Sequence, residues 1–196
     1  MVIQRRYIMP PKVKITKTDI IETALSLCRE HGEDAINARS IASALDCSTQ
    51  PIFSNFATME ELKASVLDSA YEHYLSFLQK EAESGQYPKY KSFGMAYIRF
   101  AQDEKELFKL LFMRDRTDEE LAFSPDFDES VKMIMNANNV SEETASLMHL
   151  EMWTCVHGIG TMLATSFLSL NRELISDMLS DVYQGLRARH LTKEDK

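Results

Sequence analysis

Residues 16–63 read TKTDIIETALSLCREHGEDAINARSIASALDCSTQPIFSNFATMEELK. Apolar side chains recur every three or four positions in this stretch, and short polar or glycine-containing breaks separate them, which predicts a series of helices. The break between the second and third predicted helices is a tight turn, which is the layout of a helix-turn-helix. The predicted helices run from Thr18-Asp19 to Gly32, from Ala38 to Leu45, from Ser48 or Thr49 through Asn55-Phe56, and from Met59 to about Glu83.

Capping signals support these boundaries. Ser48 or Thr49 can cap the third helix through a side-chain oxygen, and Pro51 stands in its first turn, where a missing N–H costs least. Thr58 is followed three residues later by Glu61, which is the pattern of a capping box. We therefore expect the peptide from Thr49 to Asn55 to be a short helix with one face exposed to solvent, packed against its neighbours by Ile52, Phe53 and Phe56.

A longer pattern of residue types covers residues 16–63. It consists of Ile20-Ile21-x-x-Ala24-Leu25-x-Leu27, Glu30-x-Gly32, Ala38-Arg39-x-Ile41-Ala42-x-x-Leu45, Ser48-x-x-x-Ile52-Phe53-x-x-Phe56 and Glu60-x-Leu62. This pattern resembles the DNA-binding region of the TetR family of repressors. A shorter motif, Met152-Trp153-x-x-x-His157-Gly158, resembles the Trp-His-Gly class of TetR C-terminal domains.

The resemblance implies an all-α protein with two domains. Residues 1–63, structured from about residue 16, would form a three-helix DNA-binding domain with the helix-turn-helix. Residues 64–196 would form a ligand-binding and dimerisation domain of about six helices. The function it implies is a ligand-responsive transcriptional regulator, a repressor that binds a near-palindromic site on double-stranded DNA as a homodimer.

The third predicted helix carries side chains suited to DNA. Gln50 is the best candidate for reading a base, because a glutamine amide can bond an adenine edge bidentately, while Thr49 and Pro51 can touch a thymine methyl. Hydroxyl and amide groups suit phosphates, as do nearby cations. The predicted DNA-binding residues are Lys14, Lys17, Arg39, Ser48, Thr49, Gln50, Pro51, Ser54, Asn55, Thr58 and Lys63.

Three positions depart from the family pattern. Phe53 stands where the family usually has tyrosine, Asn55 where it has histidine or tyrosine, and Met59 where it has lysine. Each change loses or weakens a phosphate donor, so we expect weaker electrostatic binding per subunit or greater reliance on residues 10–17. The alternative is a helical dimer that does not bind DNA and acts as a ligand-capture or interaction module.

Charge is divided unevenly along the chain. The net charge is −8, but residues 1–66 hold eight basic and eight acidic residues, so residues 67–196 carry all of the excess. Arg5, Arg6, Lys12, Lys14 and Lys17 all precede the first acid, Asp19. Positive charge is therefore concentrated where DNA would lie. Met9 offers a second start site, so residues 1–8 carry little weight.

Several classes of protein are disfavoured. Three cysteines without close spacing argue against a disulfide framework or a zinc cluster, so we expect no metal, no cofactor and a reducing, cytoplasmic location. No apolar run approaches the roughly 20 residues of a membrane span. The chain has no Gly-rich phosphate loop, HExxH or GxSxG, and Cys155 and His157 point in different directions on a helix, so an enzyme is not expected.

Methionine and aromatic residues are frequent in the second domain. Such side chains suit a permissive pocket, so an apolar small-molecule effector is expected, although the same residues can form plain core. The candidate ligand-binding residues are Phe108, Phe112, Met133, Trp153 and His157.

The resemblance also implies that the last two helices, Ser141 to Leu168 and Arg172 to about Arg189, pair with their mates as a four-helix bundle. Gly158 and Gly160 would allow close approach, although an apolar stripe buried within one subunit would look the same. The candidate dimerisation residues are Ile159, Leu163, Phe167, Leu174, Met178, Val182 and Leu186.

Overall fold

The computed structural model describes residues 15–115 and 125–191, and the regular structure of these segments is entirely helical. The all-α prediction is therefore confirmed. None of the described helices is both long enough and apolar enough to cross a membrane. The helices are α1 (Lys17–His31), α2 (Ala38–Ala44), α3 (Gln50–Asn55), α4 (Met59–Glu83), α5 (Lys89–Asp103), α6 (Lys105–Phe112), α7 (Pro125–Asn138), α8 (Glu142–Ala164) and α9 (Arg172–Leu191).

Helix α1 begins earlier than its predicted start at Thr18-Asp19. The Thr16 hydroxyl accepts a hydrogen bond from the Asp19 N–H at 3.1 Å, and the Asp19 carboxylate accepts one from the Thr16 N–H at 2.8 Å. This reciprocal pair is a capping box with Thr16 as the cap, so the predicted start is wrong by about one half-turn. Gly32 ends the helix as predicted, with a φ of +82° that favours glycine.

The starts of α2, α3 and α4 differ in how they are capped. The Asn37 side chain caps α2 by accepting from the Ser40 N–H at 2.9 Å. The predicted side-chain cap of α3 is wrong: Thr49 precedes the helix, but its side chain makes no capping bond. At α4 the Thr58 hydroxyl accepts from the Glu61 N–H at 3.1 Å. Glu61 does not complete the predicted box, because its carboxylate accepts from the N–H of Ala57, one residue earlier than the cap.

We call α1–α3 the head and α4–α9 the body. Within the head, Ile20 and Ala24 of α1, Ile41 of α2 and Ile52 of α3 are completely buried. Helix α1 also packs against α4 and α6, so the head rests directly on the body.

A charged cluster joins the head to the body. Glu104, only 8% exposed, lies between α5 and α6 and accepts hydrogen bonds from both Arg29 Nε of α1, at 2.7 Å, and Arg29 Nη2. The His73 Nε2 atom of α4 lies 3.1 Å from Oε1 of the same carboxylate, the oxygen that also accepts from Arg29 Nη2. Burial alone would raise the Glu104 pKa, but the bonds from Arg29 and His73 outweigh it and lower that pKa. The carboxylate therefore stays charged and holds the two parts together.

Helices α5 and α8 form the centre of the body, with α4, α6, α7 and α9 packed against them. The end of α8 corrects the prediction of a helix to Leu168. The helix stops at Ala164, because Ser166 adopts a φ of +57° and the Phe167 N–H turns back to the Met162 carbonyl at 2.9 Å. Helix α9 then begins at Arg172 as predicted, with the Asn171 side chain accepting from the Leu174 N–H at 2.8 Å.

Candidate nucleic-acid interface and ligand cavity

Helix α3 presents a polar face to solvent. Ile52 and Phe56 point inward and are 0% and 1% exposed, so they fix the helix on the head core. Gln50 and Ser54 are exposed on the other side. The peptide from Thr49 to Asn55 therefore exposes one polar helix face to solvent, which is the geometry that a recognition helix needs.

The prediction that Phe53 faces inward is wrong, because its side chain is 52% exposed. Ile52 and Phe56 are four residues apart and occupy the inward face of this short helix. Phe53 lies about 100° further round the helix axis than Ile52 and cannot share that face. An apolar ring therefore stands beside Gln50 and Ser54 on the outer surface.

The structure shows which polar groups of α3 already have partners. The Ser54 hydroxyl donates to the Gln50 carbonyl at 2.8 Å, and the Asn55 amide donates to the Pro51 carbonyl at 2.8 Å. Thr58 is engaged as the cap of α4. Within the described part of the chain, the Gln50 side chain makes no hydrogen bond, so its amide is available for a base edge.

Two of the three predicted cations near α3 that the structure describes are paired. Lys17 Nζ lies 3.2 Å from the Glu61 carboxylate and 4.6 Å from the Phe56 ring centroid. Lys63 Nζ lies 3.4 Å from the Glu33 carboxylate. Arg39 is exposed and forms no ion pair with any residue that the structure describes. Lys14 lies outside the described residues. Exposed ion pairs are worth little, so phosphates can compete for the two lysines.

The body contains a cavity of about 590 Å³, and each of the helices α4–α9 contributes residues to its wall. Its walls are mainly aromatic and aliphatic, which suits a ligand with an apolar body. Phe112 and Trp153 line it, as the sequence suggested. Its other walls include Tyr71, Tyr74, Tyr90, Lys91, Tyr97, His149, Val156, Leu179, Ser180 and Tyr183.

Three of the five candidate ligand-binding residues do not line the cavity. Phe108 is completely buried and packs against Tyr97, at 5.2 Å between ring centroids. His157 turns its Nδ1 atom to the Tyr97 hydroxyl at 2.8 Å. Met133 is half-buried on α7 and is not a wall residue. The prediction that Phe108, Met133 and His157 line the cavity is therefore wrong. Phe108 is packed in the core, and His157 is hydrogen-bonded to Tyr97.

Two tyrosine–histidine pairs join α5 to α8. Tyr90 bonds to His149 Nδ1 at 3.0 Å, and Tyr97 bonds to His157 Nδ1 at 2.8 Å. Burial lowers the pKa of His149 to about 4 and also lowers that of His157. Both imidazoles are therefore neutral near pH 7. Tyr90, Tyr97 and His149 line the cavity, whereas His157 lies behind its wall, with the Trp153 ring stacked on it at 5.0 Å.

Lys91, His149 and both tyrosines of these pairs line the cavity but were not among the predicted ligand-binding residues. The signal that was present is the spacing: Tyr90 and Tyr97 are seven residues apart, and His149 and His157 are eight apart. Each pair of residues lies on one helix face at this spacing. Nothing in the sequence alone shows that the two faces meet.

The candidate dimerisation residues fall into two groups. Ile159 and Leu163 are 2% and 4% exposed and pack in the core of their own subunit, so the prediction that they form an intersubunit surface is wrong. The expected role of Gly160 is corrected too, because a Cβ there would meet the Phe108 ring at 3.0 Å within the subunit. Gly158 instead faces open space.

The remaining candidates lie nearer the surface. Phe167 and Leu174 are 76% and 47% exposed. Met178, Val182 and Leu186 are half-buried against the core. Leu147 and Leu150 of α8 were not predicted, yet both are exposed, at 45% and 46%.

The described chain thus combines a helix-turn-helix head with a helical body that contains a cavity. No model of a protein family matches the sequence, and no curated protein matches it. Among solved structures, the chain is similar to a TetR-like transcriptional regulator from Rhodococcus sp. RHA1, with a TM-score of 0.64 and 11% identity over 90% of this chain and 96% of that one.

A second similar structure is a member of the TetR family from Streptomyces coelicolor A3. Its TM-score is 0.56 and its identity 17%, over 85% of this chain and 96% of the other. The likeness extends over head and body in both cases, so the chain has a TetR-like fold. The arrangement expected from the sequence pattern of residues 16–63 is confirmed at the level of the fold.

Proposed function

We propose that this protein is a DNA-binding transcriptional regulator and not an enzyme. The observation that carries the proposal is α3, which is docked by Ile52 and Phe56 and turns the unpaired amide of Gln50 to solvent. A helix held in this way fits the major groove and can read a base pair there. The TetR-like fold supports the same function.

The proposed regulator acts as a homodimer. A pair of heads about 34–36 Å apart would enter successive major grooves of a near-palindromic site. The surface proposed for pairing is formed by four exposed apolar residues: Leu147 and Leu150 of α8, Phe167 of the segment between α8 and α9, and Leu174 of α9. Gly158 lies open on α8, where the absence of a side chain permits close approach of a second helix.

A small molecule in the cavity would control DNA binding. Phe112 lines the cavity from the end of α6, and Glu104, just before the start of α6, holds Arg29 of the head. A ligand that displaces α6 therefore acts on the position of α1. In the repressor version of the proposal, the ligand favours a head spacing that does not fit DNA, and DNA weakens ligand binding by the same factor.

The experiment is a titration of labelled DNA from upstream of the protein's own gene, followed by fluorescence anisotropy at two salt concentrations. Specific binding that weakens steeply with salt is expected, because the affinity of a DNA-binding protein depends on released counterions. Gln50→Ala should reduce discrimination against a substituted site by about 1–3 kcal/mol. The matched control is Gln86→Ala, which changes an exposed glutamine in the body.

A second candidate function is a helical dimer that captures a ligand without binding DNA. It is favoured by the exposed Phe53 ring on α3 and by the pairing of Lys17 and Lys63 with carboxylates. Absence of specific DNA binding, together with retained ligand binding, would select this candidate.

A further inference from the structure

The cavity wall carries a single side chain with a full charge. Among the described residues that line it there is no aspartate or glutamate, and the basic members are Lys91 and His149. Because burial lowers the pKa of His149 to about 4, that imidazole is neutral near pH 7. Lys91 is therefore the one cation facing an otherwise uncharged, mainly aromatic space.

Lys91 is held in place by neutral groups. Its Nζ atom donates to the Ser176 hydroxyl at 2.7 Å and to the Ser180 hydroxyl at 2.8 Å, and it lies 5.1 Å from the Tyr87 ring centroid. No carboxylate of the described chain lies within 4.0 Å of it. An ammonium has three N–H donors, so one is left after the two serines. Half-buried charge without a counter-charge is costly, and a bound anion would remove that cost.

We propose that the cavity takes an organic anion: a molecule with an apolar body and one acidic group, such as a carboxylate, that pairs with Lys91. The proposal names the ligand class of the cavity, and its regulatory meaning rests on the proposed function. The acidic group would lie beside Lys91 and Ser180, both of which line the cavity. The bond from Lys91 to a carboxylate would be charge-assisted and therefore stronger than a bond between neutral groups.

The distribution of wall residues gives the ligand an orientation. Lys91 lies in the first turn of α5, and Tyr97, which also lines the cavity, follows six residues later, which is about 9 Å along a helix. The Tyr97 end is formed by further rings, Tyr74 and Phe112, and carries no charge. The ligand would thus lie along α5 with its anion at the start of the helix and its apolar body against the rings.

Trp153 provides a direct measurement, because it is the only tryptophan of the chain and lines the cavity. Its fluorescence is followed while the protein, without DNA, is titrated with hexanoate, octanoate, decanoate and dodecanoate, and with the amide of each acid. The amides keep the apolar body and lack the charge. We expect at least one acid to bind more tightly than its amide by about tenfold or more, because hydrogen bonds to charged groups are roughly twice as strong as neutral ones.

The variant Lys91→Met keeps most of the aliphatic stem, removes the charge and should abolish the difference between acid and amide. The matched control is Lys89→Met, because Lys89 is exposed, pairs with Glu129 at 2.6 Å and does not line the cavity. It should keep the difference. The comparison of acid with amide on the unmodified protein tests the proposal even if Lys91→Met fails to fold.

Three results would overturn the proposal: equal affinity of acids and amides for the unmodified protein, no response to any acid, or a preference for the acid that persists in Lys91→Met. The titration contains no DNA, so its failure leaves the DNA-binding experiment standing. Failure of DNA binding, in turn, leaves the ligand class intact and points to the ligand-capture alternative.

Discussion

The head and the body bury different kinds of side chain. The head buries mostly small or aliphatic side chains, such as Ile20, Ala24, Ile41 and Ile52, together with the ring of Phe56. The body buries aliphatic side chains too and adds a cluster of aromatic rings: Tyr74 packs against Phe100 at 5.3 Å and against Phe112 at 5.1 Å between ring centroids, both in edge-on arrangements. The body also contains the cavity of about 590 Å³.

This difference fits the roles proposed for the two regions: the head presents α3, and the body takes up a ligand. Close-packed aliphatic side chains allow few alternative arrangements, so the head holds α3 in one orientation. In the body, the rings of Tyr74, Tyr97 and Phe112 line the cavity, and this is the space that a ligand could fill. The two regions also meet at a charged cluster, Arg29–Glu104–His73, which links α1 of the head to α4 and to the start of α6 in the body.

The largest expected effect tests the packing of the head. Ile52→Ala should lower the free energy of unfolding by about 3–4 kcal/mol, because it leaves a void in a close-packed region. Leu78→Ala at the cavity wall removes the same number of carbon atoms but should cost only about 2 kcal/mol, since the lost volume joins existing space. Urea denaturation of both variants gives the two values. Equal losses would contradict the distinction between head and body.

The second prediction addresses the cluster that joins the two regions. Glu104→Gln should lower the free energy of unfolding by about 2 kcal/mol, because it removes the negative charge and replaces one of the two acceptor oxygens with an NH2 donor that faces Arg29 or His73. The half-exposed Arg29 can reach water, which keeps the loss below that of a fully buried pair. Thermal denaturation measures the change. The control Asp103→Asn breaks the exposed pair with Arg99 and should stay within about 0.5 kcal/mol of the unmodified protein. A larger effect of the control would show that the cluster has no special role.

The third prediction separates the packed and open glycines of the body. Gly160→Ala should destabilise by about 1–2 kcal/mol, because the added Cβ meets the Phe108 ring at 3.0 Å and the Tyr97 ring at 3.3 Å. Gly185→Ala, where nothing lies within 4 Å, should stabilise by about 0.5–1 kcal/mol through helix propensity. Melting temperatures measured side by side give both signs, and a stabilising Gly160→Ala would mean that the aromatic core is looser than described.

The smallest expected effect is a pH dependence. Burial holds the His149 pKa at about 4 in the folded chain, below the ordinary value of 6.5, so the unfolded chain binds more protons between these pH values. Stability should therefore fall as pH falls through this window, with His157 acting in the same direction. The variant His149→Gln should therefore lose less of its free energy of unfolding on acidification to pH 5 than the unmodified protein does. The expected difference is less than about 1 kcal/mol, because the imidazole is only partly buried. The control is Gln86→Ala, which changes an exposed side chain without a titratable group and should leave the pH profile unchanged.

The architecture of the head could be predicted from sequence because its contacts are local. Its helices lie within residues 16–63, and periodicity with capping residues fixed most of their boundaries. Phe53 was placed wrongly, because a six-residue helix has room for only one inward stripe, and Ile52 and Phe56 occupy it. The available amide of Gln50 depends on which neighbouring groups are already bonded, and only the structure shows that.

The cavity could not be predicted in the same way. Its wall draws on residues from Tyr71 to Gln184, on six helices, so it depends on long-range packing that periodicity does not encode. Phe112 and Trp153 were found through composition, whereas Lys91 was missed because a lysine near a helix start normally suggests a solvated side chain. Ile159 and Leu163 show the same limit, since an apolar stripe looks alike whether a subunit or its partner covers it.

The paired bonds of Tyr90 with His149 and Tyr97 with His157 restrict how the body can open. The two hydrogen bonds lie about two turns apart along both helices, so they link α5 to α8 at two levels. Sliding one of these helices past the other by one residue, about 1.5 Å, would break both hydrogen bonds together and leave their polar atoms without partners. Helices α5 and α8 are therefore expected to move together, so that any rearrangement of the body would shift α4, α6, α7 or α9 relative to this pair.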